Sequence, residues 1–207
     1  MTRDAPPVVL ASSSPRRRRV LEQLGLDFRV VPAPDGVETP WNGVESPPRF
    51  AERLALAKAA AVASSCPDAI VLAADTIVVL EGEVLEKPRD EAHAREMLTR
   101  LAGRAHVVHT GAVAVAPQGS ASGLESTAVR FRALDAEQIE AYVATGEPLD
   151  KAGAYGIQGY GAALVESVDG CYFNVMGFPV NRVLALLERV GWRYAFPGRL
   201  VPVSARV

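Results

Sequence analysis

The sequence predicts a mixed α/β fold, a twisted sheet flanked by helices, and three observations carry that reading. Helical and strand-like patterns alternate along the 207 residues, with no repeat and no low-complexity tract. The run from Ala69 to Leu80 is almost unbroken in apolar residues, as in a strand covered on both faces. Turn signals at Glu81-Gly82-Glu83 and Asp169-Gly170 imply hairpins, which excludes a purely parallel sheet.

Val8 to Ala11 reads as the first strand. Ser14 is placed as an N-cap and Pro15 as the first helical residue; Val20, Leu21 and Leu24 then recur at helical spacing, and Gly25 is the stop. Phe28 to Val31 is a short strand, and the Pro- and Gly-rich stretch from Pro32 to Pro48, which contains Glu38, reads as a long loop. Pro47 and Pro48 open a helix with Phe50, Leu54, Ala57 and Ala61 as its apolar stripe. Val84 to Glu86 returns beside the long apolar strand as a hairpin.

Asp90 caps a helix that runs through Leu98 and Leu101 to Gly103. Ala105 to Ala116 and Leu124 to Phe131 are expected as antiparallel strands joined by a loop at Gln118-Gly-Ser-Ala-Ser-Gly. Asp135 and Gln138 form a capping-box pattern for a helix ending near Gly146. A glycine-rich segment leads to a strand from Ala162 to Val168, a turn, and a strand from Tyr172 to Val175. Pro179 begins the last helix, through Leu187, and the tail 193–207 carries no motif.

The chain fits one unit, compact or two-lobed, and its 49% hydrophobic residues suffice for a core. A formal net charge of −2 argues against a general nucleic-acid binder. No signal peptide or membrane-length apolar run is evident, and Cys66 and Cys171 have no metal-like spacing, so a reduced cytoplasmic enzyme is expected. His106 and His109, three apart on a strand, point to opposite faces and are not expected to share a zinc ion. His93 is read as solvated.

Chemistry begins at Arg16-Arg17-Arg18-Arg19. Cations in a helix's first turn oppose its dipole. The conflict resolves if an anion binds there, where free N–H groups, serine hydroxyls and guanidinium groups converge. Arg17 lies at the centre of the Val20/Leu21/Leu24 face, Arg16 and Arg18 flank it, and Arg19 points away. Asp75 interrupts the apolar run, where a carboxylate is costly unless paired or bound to metal. It is either a strand-end cap or an acid at a cleft that holds Mg²⁺ or takes a proton from water. Thr76 points to the opposite strand face.

Lys58 sits at the edge of its helix's apolar stripe, Lys87 is held extended by Pro88, and Lys151 opens a segment whose glycines would let backbone approach a ligand. Each lysine alone is an ordinary solvated charge. Together with Arg17 and a cation-binding acid they suggest a polyphosphate site.

These strings resemble the Maf family of nucleoside triphosphate pyrophosphatases. The resemblance rests on Leu10-Ala-Ser-Ser-Ser-Pro-Arg-Arg, Arg53-Leu-Ala-Leu-Ala-Lys-Ala, Ala74-Asp-Thr-Ile-Val-Val and Gly82-Glu-Val-Leu-Glu-Lys-Pro. It continues through Leu101-Ala-Gly-Arg-Ala-His-Val-Val-His-Thr, Asp150-Lys-Ala-Gly-Ala-Tyr-Gly-Ile-Gln-Gly and Gly170-Cys-Tyr-Phe-Asn-Val-Met-Gly-Phe-Pro. It implies one domain over 1–207 with an elongated, two-lobed fold and a deep cleft, like that of inosine triphosphate pyrophosphatases, often as a homodimer. It also implies hydrolysis of a nucleoside triphosphate to the monophosphate and pyrophosphate with Mg²⁺ or Mn²⁺.

By the same resemblance, Ser14, Arg17 and Lys151 bind substrate; Asp75, Glu38, Lys58 and Lys87 are catalytic; and Asp75 and Glu38 hold the metal. Arg16, Thr76 and Gln158 replace the tryptophan, glutamine and glutamate of the sister group associated with 7-methyl-GTP, which points to the dTTP and UTP subgroup. A glutamine amide, donor and acceptor at once, suits the adjacent carbonyl and N3–H of thymine or uracil. The chain departs from the family at Pro32-Ala-Pro-Asp-Gly-Val, Ala57 and Phe178. The rival expectations are a house-cleaning enzyme for modified nucleotides and a nucleotide-binding regulator of cell division. No stable nucleic-acid complex and no membrane association are expected.

Overall fold

The computed structural model describes residues 5–203. Among these, the main sheet has seven strands: β1 (Val8–Leu10), β2 (Phe28–Val30), β3 (Ile70–Leu80), β4 (Glu83–Leu85), β5 (Ala105–Ala116), β6 (Gly119–Phe131) and β7 (Val165–Asp169). Their order is β2-β1-β3-β5-β6-β7, with β4 also paired to β3. β1 runs parallel to β2 and β3, and the remaining pairs are antiparallel, so the fold is mixed α/β.

The helices are α1 (Pro15–Gln23), α2 (Pro47–Ala63), α3 (Glu91–Leu101), α4 (Ala136–Val143), α5 (Tyr172–Val175) and α6 (Val180–Arg189). Side chains alternate along β3 and sort them onto two faces. Ile70, Leu72, Ala74, Val78 and Leu80 join the core built with α1, α3, α4 and α6. Val71 and Ala73 pack under Ala55, Ala59 and Val62 of α2, and Ile77 and Val79 under Phe50 and Leu54. Asp75 falls on the α2 face and Thr76 on the other.

One edge of β3 is open at its middle. β5 pairs with Val71 to Val79 along one side. Along the other, β1 takes residues 70–72 and β4 takes 78–80, and among the described residues no strand fills the interval between. Asp75 and Thr76 stand in that gap. Directly across from Asp75 on β5 is Gly111, whose missing side chain admits α2: a Cβ there would lie 2.5 Å from the Ala51 carbonyl oxygen.

The local signals for α3 and α4 hold. The Asp90 side chain accepts from the His93 N–H, and Asp135 and Gln138 form the reciprocal capping box.

Besides the strand expected from Ala162, which begins only at Val165 because Tyr160–Leu164 forms a 3₁₀ turn, three segments differ from expectation. The stretch after Gln118 is not a loop: residues 119–123 continue β6, paired with 112–116, because their small side chains let α6 pack close, Gly123 against Arg182. Tyr172 to Val175 forms a helical turn rather than a strand, since buried Asn174 donates to the Val108 carbonyl and accepts at its own carbonyl from Thr110. The tail forms a hairpin, β8 (Trp192–Ala195) with β9 (Arg199–Pro202), and the Tyr194 hydroxyl donates to the Leu24 carbonyl at 2.6 Å. Residues 204–207 of that tail lie outside the described residues. No helix among the described residues is long and apolar enough to cross a membrane.

Gly111→Ala should force α2 off the sheet and lower stability by about 1–3 kcal/mol, the usual range for overpacking. A urea unfolding midpoint equal to wild type would show that the helix does not depend on this contact.

Candidate active site

A cleft of about 650 Å³ opens at the gap in β3, well within the size of small-molecule sites. All ten residues singled out from the sequence line it: Ser14, Arg16, Arg17, Glu38, Lys58, Asp75, Thr76, Lys87, Lys151 and Gln158. They come from α1, the loop before α2, α2, β3, the segment after β4, and the segments after α4.

Its centre is an ion cluster, buried at Lys58 and Asp75 and open to solvent at Glu38. Lys58 Nζ lies 2.5 Å from Asp75 Oδ1 and 2.6 Å from Glu38 Oε1. Lys58 is only 5% exposed and Asp75 7%. Lys58 was expected at the edge of an apolar stripe through Ala57 and Ala61. It lies instead inside the buried face, which runs Phe50, Ala51, Leu54, Ala55, Lys58, Ala59, Val62. Asp75 is not a strand-end cap but sits in mid-strand. Burial pushes the Glu38 carboxyl up; the hydrogen bond and charge of Lys58, with Lys87 and Arg17, outweigh it and hold the carboxyl below the ordinary value.

On the other face of β3, Arg17 is clamped by its own protein. Its Nε donates to the Gly177 carbonyl at 2.8 Å, Nη1 to Ser12 Oγ at 3.0 Å and Nη2 to Thr76 Oγ1 at 3.2 Å. Burial lowers its affinity for its proton, and Asp75 and Glu38 oppose that. Three of five guanidinium donors are thus used, leaving two for a ligand.

Arg16 faces Asp150 at 3.6 Å, Arg18 pairs outward with Glu22, and Arg19 is exposed. Ser14 occupies the N-cap position, but its hydroxyl makes no cap bond. The neighbouring Ser12 accepts its N–H instead, at 3.2 Å, so the first-turn amides of α1 are not satisfied by Ser14.

The glycines after Lys151 bring the backbone close to the protein's own side chains: a Cβ at Gly153 would strike Val78, at Gly156 Lys151, and at Gly159 Glu147. Gly156 also lines the cleft. Lys151 Nζ donates to Asp150 Oδ1 and to the Glu147 carbonyl, both at 2.5 Å. The Gln158 Oε1 atom is buried with no hydrogen-bond partner within the protein.

Tyr155, also lining the cleft, shares a 2.8 Å hydrogen bond with His106 Nε2, and burial pushes that imidazole down to about 4, so it is neutral. His109 turns instead to Ser126.

Ser12, Thr110, Asn174, Gly177, Tyr142 and Glu147 were not found from sequence. Thr110, Asn174 and Gly177 take their roles from partners 64 or more residues away, and Ser12, Tyr142 and Glu147 from nearer contacts that no standard motif marks.

Five cations thus face four carboxylates (Glu38, Asp75, Glu86 and Asp150) around the cleft. Among the described residues no group of three or more His, Cys, Asp or Glu is placed to hold a metal. Two carboxylates with room beside them nevertheless suit Mg²⁺, which usually completes its shell with water and phosphate oxygens.

The family model for Maf-like proteins matches residues 7–190. A dTTP/UTP pyrophosphatase of Symbiobacterium thermophilum is 52% identical over 185 residues, covering 89% of this chain and 94% of that protein. One from Moorella thermoacetica is 54% identical over 186 residues, covering 89% and 95%. The structure of the Staphylococcus aureus Ham1 protein overlaps more loosely, with a TM-score of 0.43 and 16% identity over 60% of this chain and 71% of that one.

Removing Lys58 would leave the buried Asp75 carboxylate unpaired and take from Glu38 its cation. Lys58→Met should cost about 3–5 kcal/mol at pH 7, the range for breaking a buried pair. A carboxyl whose folded pKa is depressed stabilises above its unfolded value and loses that contribution as pH falls through the folded one. The deficit should therefore shrink on acidification below the ordinary carboxylate range. Urea midpoints of both proteins from pH 7 down to about pH 2.5 check this; a deficit independent of pH over that range would mean Lys58 acts only by packing.

Proposed function

The chain belongs to the Maf-like protein family, and we propose that its cleft hydrolyses dTTP and UTP to the monophosphate and pyrophosphate. One observation carries the reading: ten residues scattered from Ser14 to Gln158 line a single cleft, with the Asp75–Lys58–Glu38 cluster at its centre.

Water attacks the α-phosphorus from the side of β3 that carries Asp75, and the Asp75 carboxylate takes its proton. Lys58 pairs with that carboxylate and holds its orientation within the strand. A divalent cation, Mg²⁺ or Mn²⁺, held by Asp75 and Glu38 with phosphate oxygens, would supply charge neutralisation and a more acidic water. Arg17, Lys87 and Lys151 meet the negative charge that shifts toward the leaving pyrophosphate. Ser14 and the uncapped N–H groups of α1 take phosphate oxygens.

The base is read by Gln158, whose unpartnered Oε1 would accept from N3–H while its amide donates to a ring carbonyl. Arg16 lines the same cleft and faces Asp150. Thr76 acts indirectly, since its hydroxyl is already engaged by Arg17 and Thr110. We read the chain as one domain with two lobes about the cleft, working as a cytoplasmic homodimer.

Pyrophosphate release should be measured with dTTP, UTP, CTP, GTP, 7-methyl-GTP and ITP in the presence of Mg²⁺. Pyrimidine turnover should dominate, and Asp75→Asn should lower kcat by about 10²–10⁴-fold, the usual weight of a general base. Preference for purine or modified nucleotides would make the enzyme a house-cleaning one. Nucleotide binding without turnover would favour a regulator.

A further inference from the structure

One carboxylate beside the cleft has no part in the steps above. Glu147 follows α4 and does not line the cleft itself. Its side chain accepts from the Tyr142 hydroxyl at 2.9 Å, from the Tyr160 N–H at 2.8 Å and from the Gly161 N–H at 2.9 Å. The Tyr142 hydroxyl in turn accepts from the Gly156 N–H at 3.2 Å. Two side chains thus hold the backbone on both sides of Gln158, at Gly156 before it and at Tyr160 and Gly161 after it.

The glycines make this closure possible. A Cβ at Gly159 would run into the Glu147 carboxylate, and one at Gly161 would stand 2.8 Å from the Tyr142 hydroxyl. Three donors shared by one carboxylate form an anchor far stiffer than an exposed loop ordinarily has. Burial, with the hydrogen bond to Glu147, pushes the Tyr142 phenol above its ordinary value, so it remains a donor. The Glu147 carbonyl also receives Lys151, so the same residue sets a phosphate-side cation.

We infer that Glu147 and Tyr142 are, through their side chains, positioning residues for base selection, holding the loop that presents Gln158 to the pyrimidine edge, while Lys151 is held by the Glu147 backbone carbonyl and not by these side chains. This rests on the pyrimidine triphosphate reading above. The pair works through backbone placement, so its loss loosens recognition and leaves the Asp75 chemistry in place.

The test is steady-state kinetics of wild type, Tyr142→Phe and Glu147→Gln with dTTP and CTP, alongside thermal unfolding. Tyr142→Phe keeps the ring's packing and removes both bonds of the hydroxyl. It should raise KM for dTTP by about 3–10-fold, the weight of one or two net hydrogen bonds, with kcat changed less than about twofold. The preference for dTTP over CTP should narrow by a similar factor, and more in Glu147→Gln. Should Glu147→Gln fail to fold, Tyr142→Phe decides alone. Unchanged KM and unchanged preference in a folded variant would overturn the inference, as would an equal loss of kcat for both nucleotides. Wild type inert toward dTTP and UTP would instead remove the substrate reading and this inference together.

Discussion

A carboxylate set in the middle of a buried strand obliges the rest of the fold to bring it a cation. Asp75 cannot be reached by water as an ordinary surface acid is, and an isolated charge there would be expelled or neutralised. The fold answers with Lys58, carried on the buried face of α2, and α2 can come close enough because Gly111 stands opposite Asp75. One ammonium between two carboxylates then draws in Glu38 and with it the loop that precedes the helix. Helix, strand and loop are tied at one point, and that point carries a residual negative charge in an otherwise cationic cleft.

Where structure is decided by neighbours in sequence, the chain is readable. The Asp90 cap, the Asp135/Gln138 box, the proline starts of α1 and α2 and the two-sided burial of β3 all follow from residues within a few positions of each other. Where distant partners decide, the same reasoning fails. The Gly/Ser stretch after Gln118 has the composition of a loop, yet five of the twelve register pairs between β5 and β6 fall on it and make it strand. Tyr172 to Val175 alternates like a strand, but the amide of Asn174 reaches β5 and β6 only when the segment coils.

The candidate site divides in the same way. Residues with an anomaly of their own were visible: arginines in a first helical turn, an aspartate in an apolar run, a lysine near an apolar stripe. The amphipathic count nevertheless put Lys58 at the stripe's edge, because small alanines make the helix's apolar boundary ambiguous. Glu147 and Tyr142 carry no anomaly, since an acid and a tyrosine near a helix end are ordinary. Their partners are backbone amides as many as 14 residues away. The glycines were noticed as places of close approach, but sequence alone does not show that Val78, Lys151 and Glu147 are among the groups approached.

The open edge of β3 gives two adjacent residues two separate duties. Asp75 faces α2 and the acid chemistry; Thr76 faces Arg17 and, beyond it, Gly177. A slip of one residue in the pairing of β3 with β5 would exchange them, setting a hydroxyl against Lys58 and a carboxylate against Arg17. Both could still find a polar partner, but Ile70, Leu72 and Leu80 would also change faces with Val71, Ala73 and Val79, so the slip would unsettle the cores on both sides of the sheet. The long ladder with β5 and the glycine at its centre therefore act as a proofreading device for the fold, holding each polar group to its own side of the sheet.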